Sequence, residues 1–236
     1  MSEPPRRSQR PRWYLELAGL VGGYVAFGAA RAAVDRGDPT ATDNALLIQR
    51  AERSMRIAVG GWMNELAARH DVVVYATGYF YRLCLLAVPA VLAWLYVASP
   101  ADYRRWRTVL VVVTLVDLLL VWLFPVSPPR FAQPGIVDYI AGADILGGAA
   151  ASVPRPGVNL LAAMPSMHVA WTTWCAAAAW SVLRRPCRQV AVLVWIFPAL
   201  TALVVLATGN HYVLDVVAGV VLVAVTAVIL PHHRGE

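Results

Sequence analysis

Apolar runs of about twenty residues, parted by short arginine clusters, constrain this chain more than any single motif. A helix rises about 1.5 Å per residue, so a run of that length crosses the ~30 Å hydrocarbon core of a bilayer. Within lipid each backbone N–H and C=O must find its partner inside the protein, so isolated runs of this kind fold as helices. The composition agrees: with 59% hydrophobic and 14% charged residues, a chain of 236 residues is too apolar for a soluble domain and too short for several. The expected fold class is all-α, an integral membrane six-helix bundle with an amphipathic extracytoplasmic helix between helices one and two.

The net charge of +6 does not describe a nucleic-acid surface. Every basic residue is Arg, and the arginines sit between apolar runs, where they orient a membrane protein. Cys84 and Cys175 lie inside apolar runs and Cys187 beside an arginine cluster, which gives neither a disulfide framework nor metal-ligand spacing. No metal-ligand set stands out, and the expected partner is the bilayer, not nucleic acid.

Residues 1–12 read as a disordered cytoplasmic leader, 13–231 as the membrane-embedded domain, and 232–236 as a cytoplasmic tail. The first span runs from Trp13 to Val34, too long for the apolar core of a signal peptide, and its Gly19-x-x-x-Gly23 pattern offers a close-packing face for another helix or a second copy of the chain. Residues 35–71 mix charge with Leu46, Leu47, Met55 and Trp62, the pattern of an amphipathic helix on the outer membrane face. The further spans are expected over 75–98, 107–124, 166–183, 190–207 and 211–230. A long loop rich in Pro and Gly, 126–163, precedes the fourth. Arginines at 104–107 and 184–188 mark cytoplasmic turns, so both termini are expected inside.

This topology brings three separated motifs to one membrane surface. Arg130 follows the outer end of the third span, Ser166 and His168 open the fourth, and His211 and Asp215 open the sixth. If the last helix starts at His211, Asp215 lies one turn away and can hold the imidazole by Nδ1, leaving Nε2 as nucleophile or base. Ser166 can cap its helix, whose first-turn N–H groups form an anion site, and Arg130 is a permanently charged partner for phosphate.

The ordered set Pro128-Pro129-Arg130, Met164-Pro165-Ser166-Met167-His168 and Gly209-Asn210-His211-Tyr212-Val213-Leu214-Asp215 resembles the three signature motifs of the type 2 phosphatidic acid phosphatase superfamily. It is most similar to the branch that includes inositol phosphorylceramide synthases and many actinobacterial membrane proteins. The resemblance implies that His211 attacks phosphorus to give a phosphohistidine, oriented by Asp215. It implies that His168 protonates the leaving oxygen and then activates water or an acceptor alcohol. Ser166 and Arg130 would bind the phosphoryl oxygens.

Two basic ligands of the superfamily pattern are missing: the chain has no Lys for the first motif, and Val205 occupies the place of an Arg before the third. Arg82, Arg155, Asn210 and Thr208 are candidate replacements. Arg82 stands out because a charge inside a membrane helix is costly, although it can also snorkel or pair with Asp117. The tryptophans at 94, 106, 122, 171, 174 and 180 are expected in packing and at the interface, and Asp138 and Asp144 as solvated loop residues that could also reach a lipid head group.

The leading functional expectation is a metal-independent lipid phosphatase acting at the extracytoplasmic face of the plasma membrane. Its substrate would be a lipid phosphate or diphosphate of the phosphatidic acid, phosphatidylglycerol phosphate or polyprenyl phosphate type. A phosphotransferase moving a head group such as phosphoinositol and a non-catalytic lipid-phosphate binder are the alternatives.

Overall fold

A computed structural model describes residues 12–34, 40–147 and 161–230. The leader before Arg12, the tail 232–236, Arg155 and the middle of the long loop lie outside the described residues. The helices in chain order are α1 (Trp13–Val34), α2 (Thr40–Ser54), α3 (Gly60–Ala68), α4 (Asp71–Leu83), α5 (Ala87–Ala98), α6 (Pro100–Leu123), the short α7 (Pro129–Ala132) and α8 (Tyr139–Gly142), α9 (Met167–Leu183), the short α10 (Arg188–Ala191), α11 (Ile196–Ala207) and α12 (Val213–Ile229). Among the described residues there is no strand, only an isolated parallel bridge between Val126 and Ala162.

Among the described residues three continuous helical stretches are long and apolar enough to cross a membrane: Asp71–Ala98, Pro100–Leu123 and Arg188–Ala207. Helix α12 is apolar but shorter, and the remaining two expected spans, α1 and α9, are helical as well. Two of the long stretches change pitch midway, to 3-10 turns at Cys84–Leu86 and Val192–Trp195. The cause is the same in both. Pro89 and Pro198 lack an N–H and their rings crowd the carbonyl four residues earlier, Leu85 and Val194, which lie in those turns.

The segment expected to form one amphipathic helix is two helices, α2 and α3, separated by a turn in which Arg56 takes φ 59°. The buried stripe of α2, Ala41, Ala45, Ile48, Gln49 and Glu52, faces the protein, while Leu46 and Leu47 are exposed. Its helical spacing is met by packing against Val126, Ala163 and Tyr212.

Helix α9 is the axis of the fold. Its buried residues lie on every side, from Met167 and Val169 to Trp174, Ala178 and Ser181, as expected of a helix surrounded by others. Helices α5, α6 and α12 supply the facing core, including Leu95, Trp106, Val109, Val113 and Val223. Trp106 and Trp174 are interior residues. The Trp174 indole N–H donates to the Trp106 carbonyl at 2.8 Å, and the Trp106 N–H donates to Ser181 Oγ at 2.9 Å, so both polar tips are satisfied without water.

The arginine clusters gather at one end of this bundle. Arg105 donates to the Ala227 and Leu230 carbonyls at 2.8 and 3.2 Å, capping the C-terminus of α12. Arg185, just past the end of α9, binds the buried Asp102 carboxylate at 2.8 Å, and Glu16 of α1 takes Arg107 and the Tyr103 hydroxyl. Helices α9 and α12 both end here, so both begin at the opposite end. A Cβ added at Gly19 or Gly23 would meet nothing within 4 Å, which leaves that face of α1 open in this chain.

Candidate active site

The turn between α11 and α12 is shaped by Gly209. Its φ is +66°, and a Cβ there would stand 2.5 Å from Ile136 Cγ2, so only glycine fits without displacing the neighbouring loop. Asn210 folds over this turn, donating from Nδ2 to Thr208 Oγ1 at 2.8 Å. Its Oδ1 accepts from Arg130 Nη1, and the Arg130 backbone N–H donates to the Gly209 carbonyl at 3.0 Å. Two distant motifs are thereby joined by backbone and side chain together.

Helix α12 begins at Val213, two residues later than the sequence reading placed it, and Tyr212 is its N-cap. The reason is Asp215: its Oδ2 reaches back to accept the Tyr212 N–H at 2.8 Å, as in a capping box, and leaves His211 just outside the helix. His211 Nδ1 lies 2.8 Å from the Ala163 carbonyl and 3.5 Å from Asp215 Oδ2. A carbonyl only accepts, so Nδ1 carries the proton and the neutral ring keeps its lone pair on Nε2. Ala163 thus shares the orienting role that the sequence reading gave to Asp215 alone. Both side chains are buried, His211 5% and Asp215 0% exposed.

Ala163 is held in place by Val126, whose N–H donates to the Leu161 carbonyl and whose carbonyl accepts from Ala163 N. Three residues on, Ser166 caps α9 with Oγ accepting from Val169 N at 3.4 Å, and its own N–H donates to the Asp215 carbonyl at 3.0 Å. The starts of α9 and α12 can approach this closely because of Gly219, one turn beyond Asp215. A Cβ there would lie 2.7 Å from the Ser166 carbonyl oxygen. His168, in the first turn of α9, stacks on Tyr81 at 4.1 Å between ring centroids and stands 6.1 Å from the His211 ring.

Arg130 has a carboxylate beside it. Its Nε lies 3.3 Å from Asp138 Oδ2, with side-chain exposures of 13% and 21%, while Nε itself makes no hydrogen bond. Asp138, read from sequence as a solvated loop residue, also caps α8 by accepting the Ala141 N–H at 3.1 Å. The loop before it is fixed by the buried Asn64, which exchanges hydrogen bonds with Val137 N and O and donates to the Ala207 carbonyl at 2.8 Å. Arg82 donates to the Leu146 carbonyl at 2.9 Å, and its neighbour Tyr81 is the residue that touches His168.

Helix α2 closes the far side. Glu52 Oε1 accepts the Leu214 N–H at 2.8 Å, Gln49 donates to the Tyr212 hydroxyl, and that hydroxyl donates to the Ser127 carbonyl. The arrangement brings His211, Asp215, His168, Ser166, Arg130 and Asn210 to one end of the bundle. Sequence reasoning missed Glu52, Asn64, Tyr81 and Gly219, and named Asp138 only as a loop residue that could reach a lipid head group. Only Gly219 carried a signal, a glycine one turn past Asp215 in an otherwise bulky apolar run. Among the described residues no group of three or more His, Cys, Asp or Glu lies together as a metal site requires.

A family model described as the PAP2 superfamily matches residues 46–229. No curated protein and no solved structure matches the chain.

Proposed function

We propose, from the premise that this chain belongs to the PAP2 superfamily, that it removes phosphate from a membrane lipid phosphate through a phosphohistidine at His211. Membership supports a lipid phosphatase or phosphotransferase in general. The observation that carries the more specific reading is the tautomer of His211: with Nδ1–H donated to Ala163, the lone pair is on Nε2.

In this reading Nε2 attacks phosphorus as the bond to the lipid oxygen breaks, and His168 gives that oxygen its proton. The ring now carries positive charge, which the Asp215 carboxylate at 3.5 Å stabilises. Arg130 and the first-turn N–H groups of α9 hold the phosphoryl oxygens, where charge must be stabilised in the transition state. Water then attacks phosphorus, His168 takes its proton, and the nitrogen–phosphorus bond breaks to release phosphate.

The reading places six membrane-crossing helices in the plasma membrane, with the site at the extracytoplasmic face. The gathering of Arg105, Arg107 and Arg185 at the opposite end of the bundle supports that orientation. A second reading, head-group transfer from a lipid phosphodiester of the kind handled by inositol phosphorylceramide synthases, is favoured by the Arg130–Asp138 pair, which lowers the positive charge offered to a dianion.

The test is phosphate release by the detergent-purified protein and its His211→Ala variant, without added metal. The substrates are phosphatidic acid, phosphatidylglycerol phosphate, and polyprenyl mono- and diphosphates. Release by the wild type alone is expected. Equal release by the variant would refute the phosphohistidine.

A further inference from the structure

Among the described residues the charges at the site do not suit a dianion. Arg130 is the guanidinium that the structure brings to the Gly209-Asn210-His211 turn, and it arrives with the Asp138 carboxylate 3.3 Å from its Nε. Its Nη1 is taken by the Asn210 amide oxygen. Asp215, 0% exposed, sets a second carboxylate 3.5 Å from the His211 ring. Arg82 is drawn to the Leu146 carbonyl. A phosphoryl group that binds the Arg130 guanidinium therefore meets the Asp138 carboxylate beside it.

We infer that Asp138 is the specificity-determining residue of this site: it sets the charge that the site accepts, so that a lipid phosphodiester monoanion is favoured over a phosphomonoester dianion. The inference rests on the second reading of the phosphoryl site, head-group transfer from a lipid phosphodiester, and names its substrate class.

The geometry suits a selector better than a scaffold. The Asp138 backbone is pinned on both sides, by the Asn64 clamp on Val137 and by the α8 cap, so its carboxylate cannot simply leave when substrate arrives. The contact to Nε is a charge–charge approach without a hydrogen bond, so it lowers the positive potential at Arg130 without consuming the donor. Each added negative charge on the ligand is then repelled by Asp138. At a separation of about 5 Å and an effective dielectric of about 50, between that of protein and that of water, that repulsion is worth about tenfold in affinity.

The experiment is equilibrium binding of dioctanoyl phosphatidic acid and dioctanoyl phosphatidylglycerol at about pH 8, where the monoester is a dianion and the diester a monoanion. It uses the detergent-purified full chain, Asp138→Asn and Asp138→Ser. Both substitutions keep a side-chain acceptor for the α8 cap and remove the charge. The wild type is expected to prefer phosphatidylglycerol, and both variants to shift the ratio toward phosphatidic acid by about tenfold. An unchanged ratio, or equal weakening of both lipids, would overturn the inference by making Asp138 a support for Arg130 and nothing more. A wild type that binds neither lipid overturns it as well. If the ratio shifts while His211→Ala releases phosphate as fast as the wild type, the charge selection stands and the phosphohistidine reading falls.

Discussion

Glu52 and Leu214 are 162 positions apart, yet Glu52 Oε1 accepts the Leu214 backbone N–H at 2.8 Å. That N–H belongs to the first turn of α12, which leaves its leading donors without intrahelical partners. Glu52 is 3% exposed. Burial pushes its carboxyl above the ordinary value and the nearby Asp215 adds to this, while the Leu214 hydrogen bond works against both.

A pH dependence of stability follows. The folded carboxyl holds its proton more tightly than the unfolded one, so the stability it lends is complete below 4.5 and is lost as pH rises from there through the raised folded value. Glu52→Gln keeps an acceptor for Leu214 and carries no charge. Thermal unfolding across that window should show the wild type losing Tm relative to the variant; parallel curves would remove Glu52 from the account.

Asp215→Asn separates the two tasks of that side chain. The amide oxygen still accepts the Tyr212 N–H, so the start of α12 and the melting temperature should persist. The negative charge beside His211 is gone, and stabilisation of the positive ring goes with it. A fall in kcat of about 10²–10³ with little change in KM is expected. A variant with unaltered kcat would leave the orientation of His211 to Ala163 alone.

Much of this site was legible because ionisable residues in apolar helices are costly and stand out. His168, His211 and Asp215 could be found by that logic, and arginine placement then put them on one end. Four kinds of feature were hidden. The Ala163 carbonyl is backbone, which no residue type announces. Asn64, Glu52 and Asp138 look in sequence like polar residues that face water, and their contacts depend on where α2, α3 and α8 come to rest. The start of α12 shifted because a capping box competes with helix continuation, and Tyr212 does not have the Ser or Thr that signals one. The division of 35–71 into two helices was hidden too, since Arg56 adopts a left-handed conformation that arginine rarely takes.

Gly219→Ala should damage the site from the apolar side. The new methyl would meet the Ser166 carbonyl oxygen at 2.7 Å and the Ala170 nitrogen at 3.3 Å, both backbone atoms that cannot rotate away. Separating α12 from α9 should cost about 1–3 kcal/mol and lengthen the Ser166 N–H to Asp215 carbonyl bond that couples the two motifs. Gly60→Ala is the control, since a Cβ there meets nothing within 4 Å. Chemical denaturation of the two variants side by side decides the matter: equal stability would mean that the helix approach at Gly219 is not tight.

On the proposed mechanism Tyr81 acts through His168, and the leaving group reports it. The two rings stack at 4.1 Å with planes 21° apart, which limits how the imidazole can turn. An alkoxide leaving from a lipid needs that proton, whereas p-nitrophenolate is stable enough to leave without it. Tyr81→Leu should therefore lower kcat for a lipid phosphate by about tenfold or more, leave KM nearly unchanged, and barely affect p-nitrophenyl phosphate. Tyr81→Phe keeps the ring and should restore the lipid rate. If Leu slows both substrates alike, Tyr81 is holding the fold of α4 against α9 and not the proton donor.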